Sequence, residues 1–167
     1  MTSSDESKRE LLLHERNALR EEILLRIRQQ HELLALTWVA FGLIIAFADG
    51  IKLLLLYQVL STFTAASWQH NGARTVQLKT YLRDDLEPQL LGPIGGGWER
   101  ALAGMRVQGF LGACWFVSTK GLFFGTQTLV TLLAISRSPE WFAIAFLIAV
   151  QIATAIVLRY PRIVRAA

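Results

Sequence analysis

Residues Leu33–Trp68 read LLALTWVAFGLIIAFADGIKLLLLYQVLSTFTAASW, an apolar run broken only by Asp49-Gly50-Ile51-Lys52. As one helix, its 36 residues would extend about 54 Å at 1.5 Å per residue, far beyond a hydrocarbon core of about 30 Å. Two antiparallel spans, Leu33–Ala48 and Leu53–Trp68, fit that thickness, with Asp49-Gly50 supplying turn chemistry between them. Each arm is slightly short, so Lys52 is expected to extend its ammonium to the interface while the bilayer thins locally.

Upstream of this hairpin the chain is charged but strongly helical. Ser3 with Glu6 and Ser7 with Glu10 each fit a capping box, and no Gly or Pro follows until Gly42. A helix starting near Asp5 is therefore expected to run unbroken into the first span. Leu12, Leu19, Ile23, Ile27 and Leu34 recur at helical spacing, and Glu22 and Arg26 form an i,i+4 pair on the wet side. The stripe fits either an amphipathic stalk or a coiled-coil contact between subunits, being too short for heptads to decide. The first 30 residues lack the apolar stretch and cleavage site of a secretory signal, so the N-terminus is expected to be retained.

Downstream, Gln69–Arg106 turns polar and loop-like. Within it Leu78, Leu82, Leu86 and Leu90 share one helical face, predicting a short helix against the membrane or the stalk that Pro88 ends or kinks. GPIGGG (residues 92–97) predicts a flexible connection, and Trp98 an interfacial anchor. A third span is expected within Phe110–Ile135 and a fourth over Trp141–Leu158. Between them Ser138 reads as an N-cap, Pro139 as the first helical residue and Glu140 as a charge at the positive dipole end. Arg159, Tyr160 and Arg162 mark the exit interface.

The expected architecture is all-α and membrane-integral: a cytoplasmic N-terminal helix (1–32), a first transmembrane hairpin (33–68), a cytoplasmic helix and loop (69–106), a second hairpin (107–158) and a cytoplasmic tail (159–167). Lys and Arg set its orientation. Six lie in the N-terminal segment, five in the 69–106 segment and three in the tail, against Lys52 and Arg137 on the opposite side. By the positive-inside rule both termini are cytoplasmic, in a bacterial inner membrane. Both hairpins then enter with the same polarity, unlike an inverted-repeat transporter.

A basic pI of about 9.6 raises the question of nucleic acid. The six basic residues of the N-terminal segment are matched by seven acidic ones, so no strong basic field forms there and no nucleic-acid partner is expected. A single cysteine, Cys114, excludes an internal disulfide and any multi-cysteine metal site. Walker, GxSxG and HExxH patterns are absent, and Asp84 and Asp85, as helical neighbours, diverge by about 100°. No catalytic, cofactor-binding or metal-ligating set is predicted, and the chain is expected not to be an enzyme. No span carries an interior carboxylate, which weighs against a proton-coupled exporter.

Polar residues within the spans are the candidate site. Gln58, Ser61, Thr62 and Ala65 share a face of the second span; Lys120, Gln127 and Thr131 align on the third; Gln151 and Thr154 lie on the fourth, away from Ala145, Ala149 and Ala153. Lys120, Gln127, Thr131, Gln58 and Gln151 form a polar stripe that could line a pore. Gly121 and Gly125, in GxxxG spacing, and the alanine row permit close helix packing. Lys120 has three readings: reaching the cytoplasmic headgroups, facing a polar cavity, partner or pore, or bonding a backbone carbonyl or neighbouring Gln inside the bundle.

NALREEILLRI (residues 17–27), the hairpin ending in Trp68, and YLRDDLEP (residues 81–88) followed by GWERAL (residues 97–102) together resemble a family of small uncharacterised bacterial membrane proteins. The likeness covers roughly Glu10–Leu102 and brings no activity with it. The layout of a cytoplasmic helix leading into a two-span hairpin is also similar to the SLATT class of bacterial conflict-system effectors. That likeness implies a membrane pore, although the second hairpin departs from the two-span pattern. Two functions follow as expectations: a homo-oligomeric, non-enzymatic pore-forming or membrane-perturbing effector, or an accessory subunit. The second would anchor a cytoplasmic protein partner through the N-terminal helix and the 69–106 segment. The lipid bilayer is a partner in either case.

Overall fold

A computed structural model of the chain describes residues 3–47, 50–91, 110–137 and 140–159, and every one of these except Gly50 and Glu140 is helical. The elements are α1 (Ser3–Phe47), α2 (Ile51–Tyr81), a π-helical turn (Leu82–Leu86), α3 (Glu87–Leu91), α4 (Phe110–Arg137) and α5 (Trp141–Arg159). Asp49, Ser138, Pro139, Trp98, Tyr160, Arg162 and the glycine-rich connection lie outside the described residues.

The 45 residues of α1 form one rod, about 68 Å long at helical rise, as the absence of Gly and Pro before Gly42 predicts. It starts at Ser3, so the Ser7–Glu10 pair falls inside the helix. α2 returns antiparallel to it. Phe41 meets Tyr57 with ring centroids 6.0 Å apart, Thr37 donates to Thr64 (3.4 Å), Gln30 to the Trp68 carbonyl (3.1 Å) and Arg26 to Asn71 (3.4 Å). Gly50 precedes α2 in extended backbone (φ −135°, ψ 156°), a conformation open to any residue. Gly72 is different: a Cβ there would lie 2.9 Å from Gln30 Nε2. Its bare Cα lets the Gln30 amide reach the Trp68 carbonyl.

Two departures from the sequence expectations concern the 69–91 stretch. It is not loop-like, and its leucines do not belong to a separate helix: α2 continues into the π turn and α3. Pro88 neither ends nor breaks this rod. Proline lacks the N–H for the bond to residue 84, and its ring crowds that carbonyl. The preceding turn is widened, with the Glu87 N–H bonded to the Leu82 carbonyl five residues back. The widening has a second effect. Leucines four apart drift by about 40° per step on an α-helix, and a wider turn brings them back into register. Leu78, Leu82 and Leu86 are accordingly all buried, packed with Ile23 and flanked by Leu12, Leu19, Ile27 and Leu90. The N-terminal stripe is thus used within the chain, against α2 and α3.

Beyond this stalk the helices form a bundle in which α2 is the hub, packing against α1, α4 and α5. One apolar layer, next to the helix-connecting turns, holds Leu54, Tyr57, Val130, Ala134 and Leu147; another, next to the stalk, holds Ala65, Trp68, Phe123 and Leu158. Many large apolar side chains face outward instead, including Trp38, Phe47, Phe63, Leu129, Trp141, Phe142 and Ile156.

Candidate functional site: a buried polar belt

Between the two apolar layers lies a belt of amides and hydroxyls. Gln127 Nε2 donates to Ser61 Oγ (3.3 Å), Thr62 Oγ1 (3.3 Å) and Thr154 Oγ1 (3.0 Å), joining α4 to α2 and α5. Gln58 Nε2 donates from α2 to Thr131 Oγ1 (3.2 Å) and lies 3.5 Å from the Leu147 carbonyl. Thr62 and Thr154 hydroxyls are 2.7 Å apart. Helical periodicity produces the belt: Gln58, Ser61 and Thr62 fall on one face of α2, and Gln127 and Thr131 are one turn apart on α4. Each threonine also donates to the carbonyl four residues back, Thr62 to Gln58, Thr131 to Gln127 and Thr154 to Val150.

Gln58, Gln127 and Thr154 are 0% exposed, so within one chain these side chains fill the bundle and do not line an open path. The two amide oxygens, Gln58 Oε1 and Gln127 Oε1, are buried without hydrogen-bond partners. Such acceptors are costly in an apolar setting and mark the belt as the least satisfied part of the bundle.

The other predicted site residues separate from this cluster. Lys120 Nζ donates to the Leu158 carbonyl, one of the last carbonyls of α5. The bond to the Leu158 carbonyl is a contact of the kind that the third reading for Lys120 describes. Gln151 Nε2 donates to Thr128 Oγ1 (2.7 Å) on an exposed seam between α4 and α5, apart from the buried belt. Gly121 and Gly125 are exposed, with open space where a Cβ would lie, and Ala145, Ala149 and Ala153 also face outward. None of these five packs described helices against one another.

Sequence reasoning misses two polar contacts of the stalk. Tyr81 donates to Glu15 (2.9 Å), which raises the tyrosine pKa first through that hydrogen bond and then through the carboxylate's charge. Glu87 is buried beside Arg16, although nothing in its neighbours announces a buried acid. The π turn that aims it inward has no simple sequence signature. Gly72 carries a signal that could have been read, because a lone glycine inside a helical pattern marks close approach.

The described residues contain no group of three or more His, Cys, Asp or Glu side chains placed to hold a metal ion. Two described helices, α1 and α5, are long and apolar enough to cross a membrane. Comparison with known proteins finds no matching family model, no similar curated protein and no similar solved structure.

Proposed function

We propose that the chain is a non-enzymatic, four-span protein of a bacterial inner membrane that anchors a cytoplasmic helical hairpin for a protein partner. The observation carrying this reading is the contrast between the two ends of the molecule. In the bundle, only 6% of the apolar window of α1 and 22% of that of α5 are buried, the reverse of core helices in a soluble fold. So much outward apolar surface suits lipid. In the stalk, a paired hairpin rich in charge leaves Leu11, Leu24, Leu25 and Val76 exposed, at 71, 66, 55 and 60%. These four supply apolar contact area on a surface that otherwise favours water.

A photo-crosslinking residue at Leu25 should give a discrete protein adduct in cells, whereas one at Phe63, on the lipid side, should not. Equal adducts at both positions, or none at either, would remove the anchoring role.

The second reading, a homo-oligomeric pore, is favoured by the belt and by the outward Gly121, Gly125 and alanine faces where copies would meet. Because the belt is filled within each chain, a path would have to form between copies or by opening a bundle. Liposomes containing only this protein distinguish the readings: anchoring predicts ion flux equal to that of empty liposomes, and a pore predicts flux rising with protein. The family resemblance over Glu10–Leu102 agrees with either function.

A further inference from the structure

Glu87 is the most anomalous side chain outside the belt. It is 1% exposed, and among the described residues neither carboxyl oxygen has a hydrogen-bond partner. Arg16 Nε, on α1, is also buried and has no partner among them. A cavity of about 40 Å³ lies there, lined by Arg9, Leu13, Arg16, Glu87 and Leu90. Leaving a carboxyl and a guanidinium N–H both dry costs free energy on each side, and neither the belt nor the exposed leucines explains why they are placed together.

We propose that this cavity is a hydration site in which ordered water bridges the Glu87 carboxyl to the Arg16 guanidinium, forming a wet latch that closes the tip of the stalk. Size favours water. About 10–15 Å³ of such volume accommodates one molecule, so the cavity takes about three or four, and it is too small for a partner's side chain with its stem. The lining favours water as well. A cation would face Arg9 and Arg16, and an anion would face the Glu87 carboxyl, whereas a neutral molecule that donates and accepts satisfies both walls. The backbone holds the geometry: the Glu87 N–H closes the π turn on the Leu82 carbonyl, and Pro88 follows at once.

The test is amide hydrogen exchange across Leu82–Leu91 in the full chain reconstituted in lipid nanodiscs. Leu90→Phe narrows the cavity. With a water bridge, expelling water should speed exchange about tenfold, the consequence of one buried polar group left unpaired. In a Glu87→Leu background the same Leu90→Phe change should slow exchange or leave it unchanged, because no carboxyl remains to be dried. Arg16→Met alone should also speed exchange, and Arg16→Met with Glu87→Leu should recover most of the protection. Slower exchange in Leu90→Phe alone would show ordinary cavity filling and overturn the proposal. Equal acceleration by Leu90→Phe in both backgrounds would show overpacking and overturn it too, as would wild-type exchange in Arg16→Met.

Discussion

Gln127 joins three helices through one amide nitrogen, yet the hydroxyls of Thr62 and Thr154 that it reaches have other acceptors for their protons: one donates to its own helix carbonyl, and the other to its own carbonyl or to the first hydroxyl. Replacing it with Leu therefore leaves few groups stranded. Gln127→Leu is expected to lower bundle stability by only about 1 kcal/mol, within the range of interhelical hydrogen bonds in membranes; steric-trap unfolding in bicelles measures it. Tyr81 offers a pH signature. Its pKa lies above the ordinary value of about 10 because Glu15 accepts from the protonated hydroxyl. Since the folded value is raised, the contact is fully present below the ordinary tyrosine pKa and is lost as pH rises through the folded value. Glu15→Gln should move the Tyr81 titration, followed by NMR, back down toward the ordinary value. The belt residues are legible in the sequence because amides and hydroxyls stand out in apolar helices. Which partners they choose is not, because that depends on how three helices rotate about one another.

The stalk and the bundle owe their cohesion to different forces. In water, burying Leu82, which is 0% exposed, gains the hydrophobic effect as well as packing, so Leu82→Ala should cost about 2–5 kcal/mol. Leu54 is equally buried in the bundle; under the proposed membrane placement its alternative surroundings are lipid and it gains mainly from packing, so Leu54→Ala should cost less. Hydrogen exchange of the stalk and steric trapping of the bundle compare the two. The i,i+4 leucines and the capping signals make both stalk helices readable. The polar composition after Gln69 reads as loop because the apolar run ends at that point while the helical backbone of α2 carries on. Pro88, normally a stop signal, is overruled by the π turn. Pro88→Ala should let that turn tighten toward α geometry and rotate Leu90 away from the leucine cluster, detected as lost protection over Glu87–Leu91.

For the molecule as a whole, the two hairpins pack through α2, with their connecting turns at one end and the stalk at the other. This arrangement agrees with the charge asymmetry, since the N-terminal segment and residues 69–91 lie together on the stalk side. The outward glycines carry a clean test of self-association. Among the described residues nothing lies within 4 Å of a side chain begun at Gly125, so Gly125→Leu should leave the fold intact while weakening any contact between copies, measured by energy transfer between labelled chains in vesicles. The proposed four-span topology, with both termini on one side, can be read out by cysteine accessibility. In a Cys114→Ser background, single cysteines at Gly50, Glu140 and Ala18 are treated with a membrane-impermeant maleimide on intact cells. The account predicts labelling at Gly50 and Glu140 without permeabilisation, and at Ala18 only after it. Gly50 and Glu140 labelling from opposite sides, or a chain recovered wholly in the soluble fraction, would contradict it.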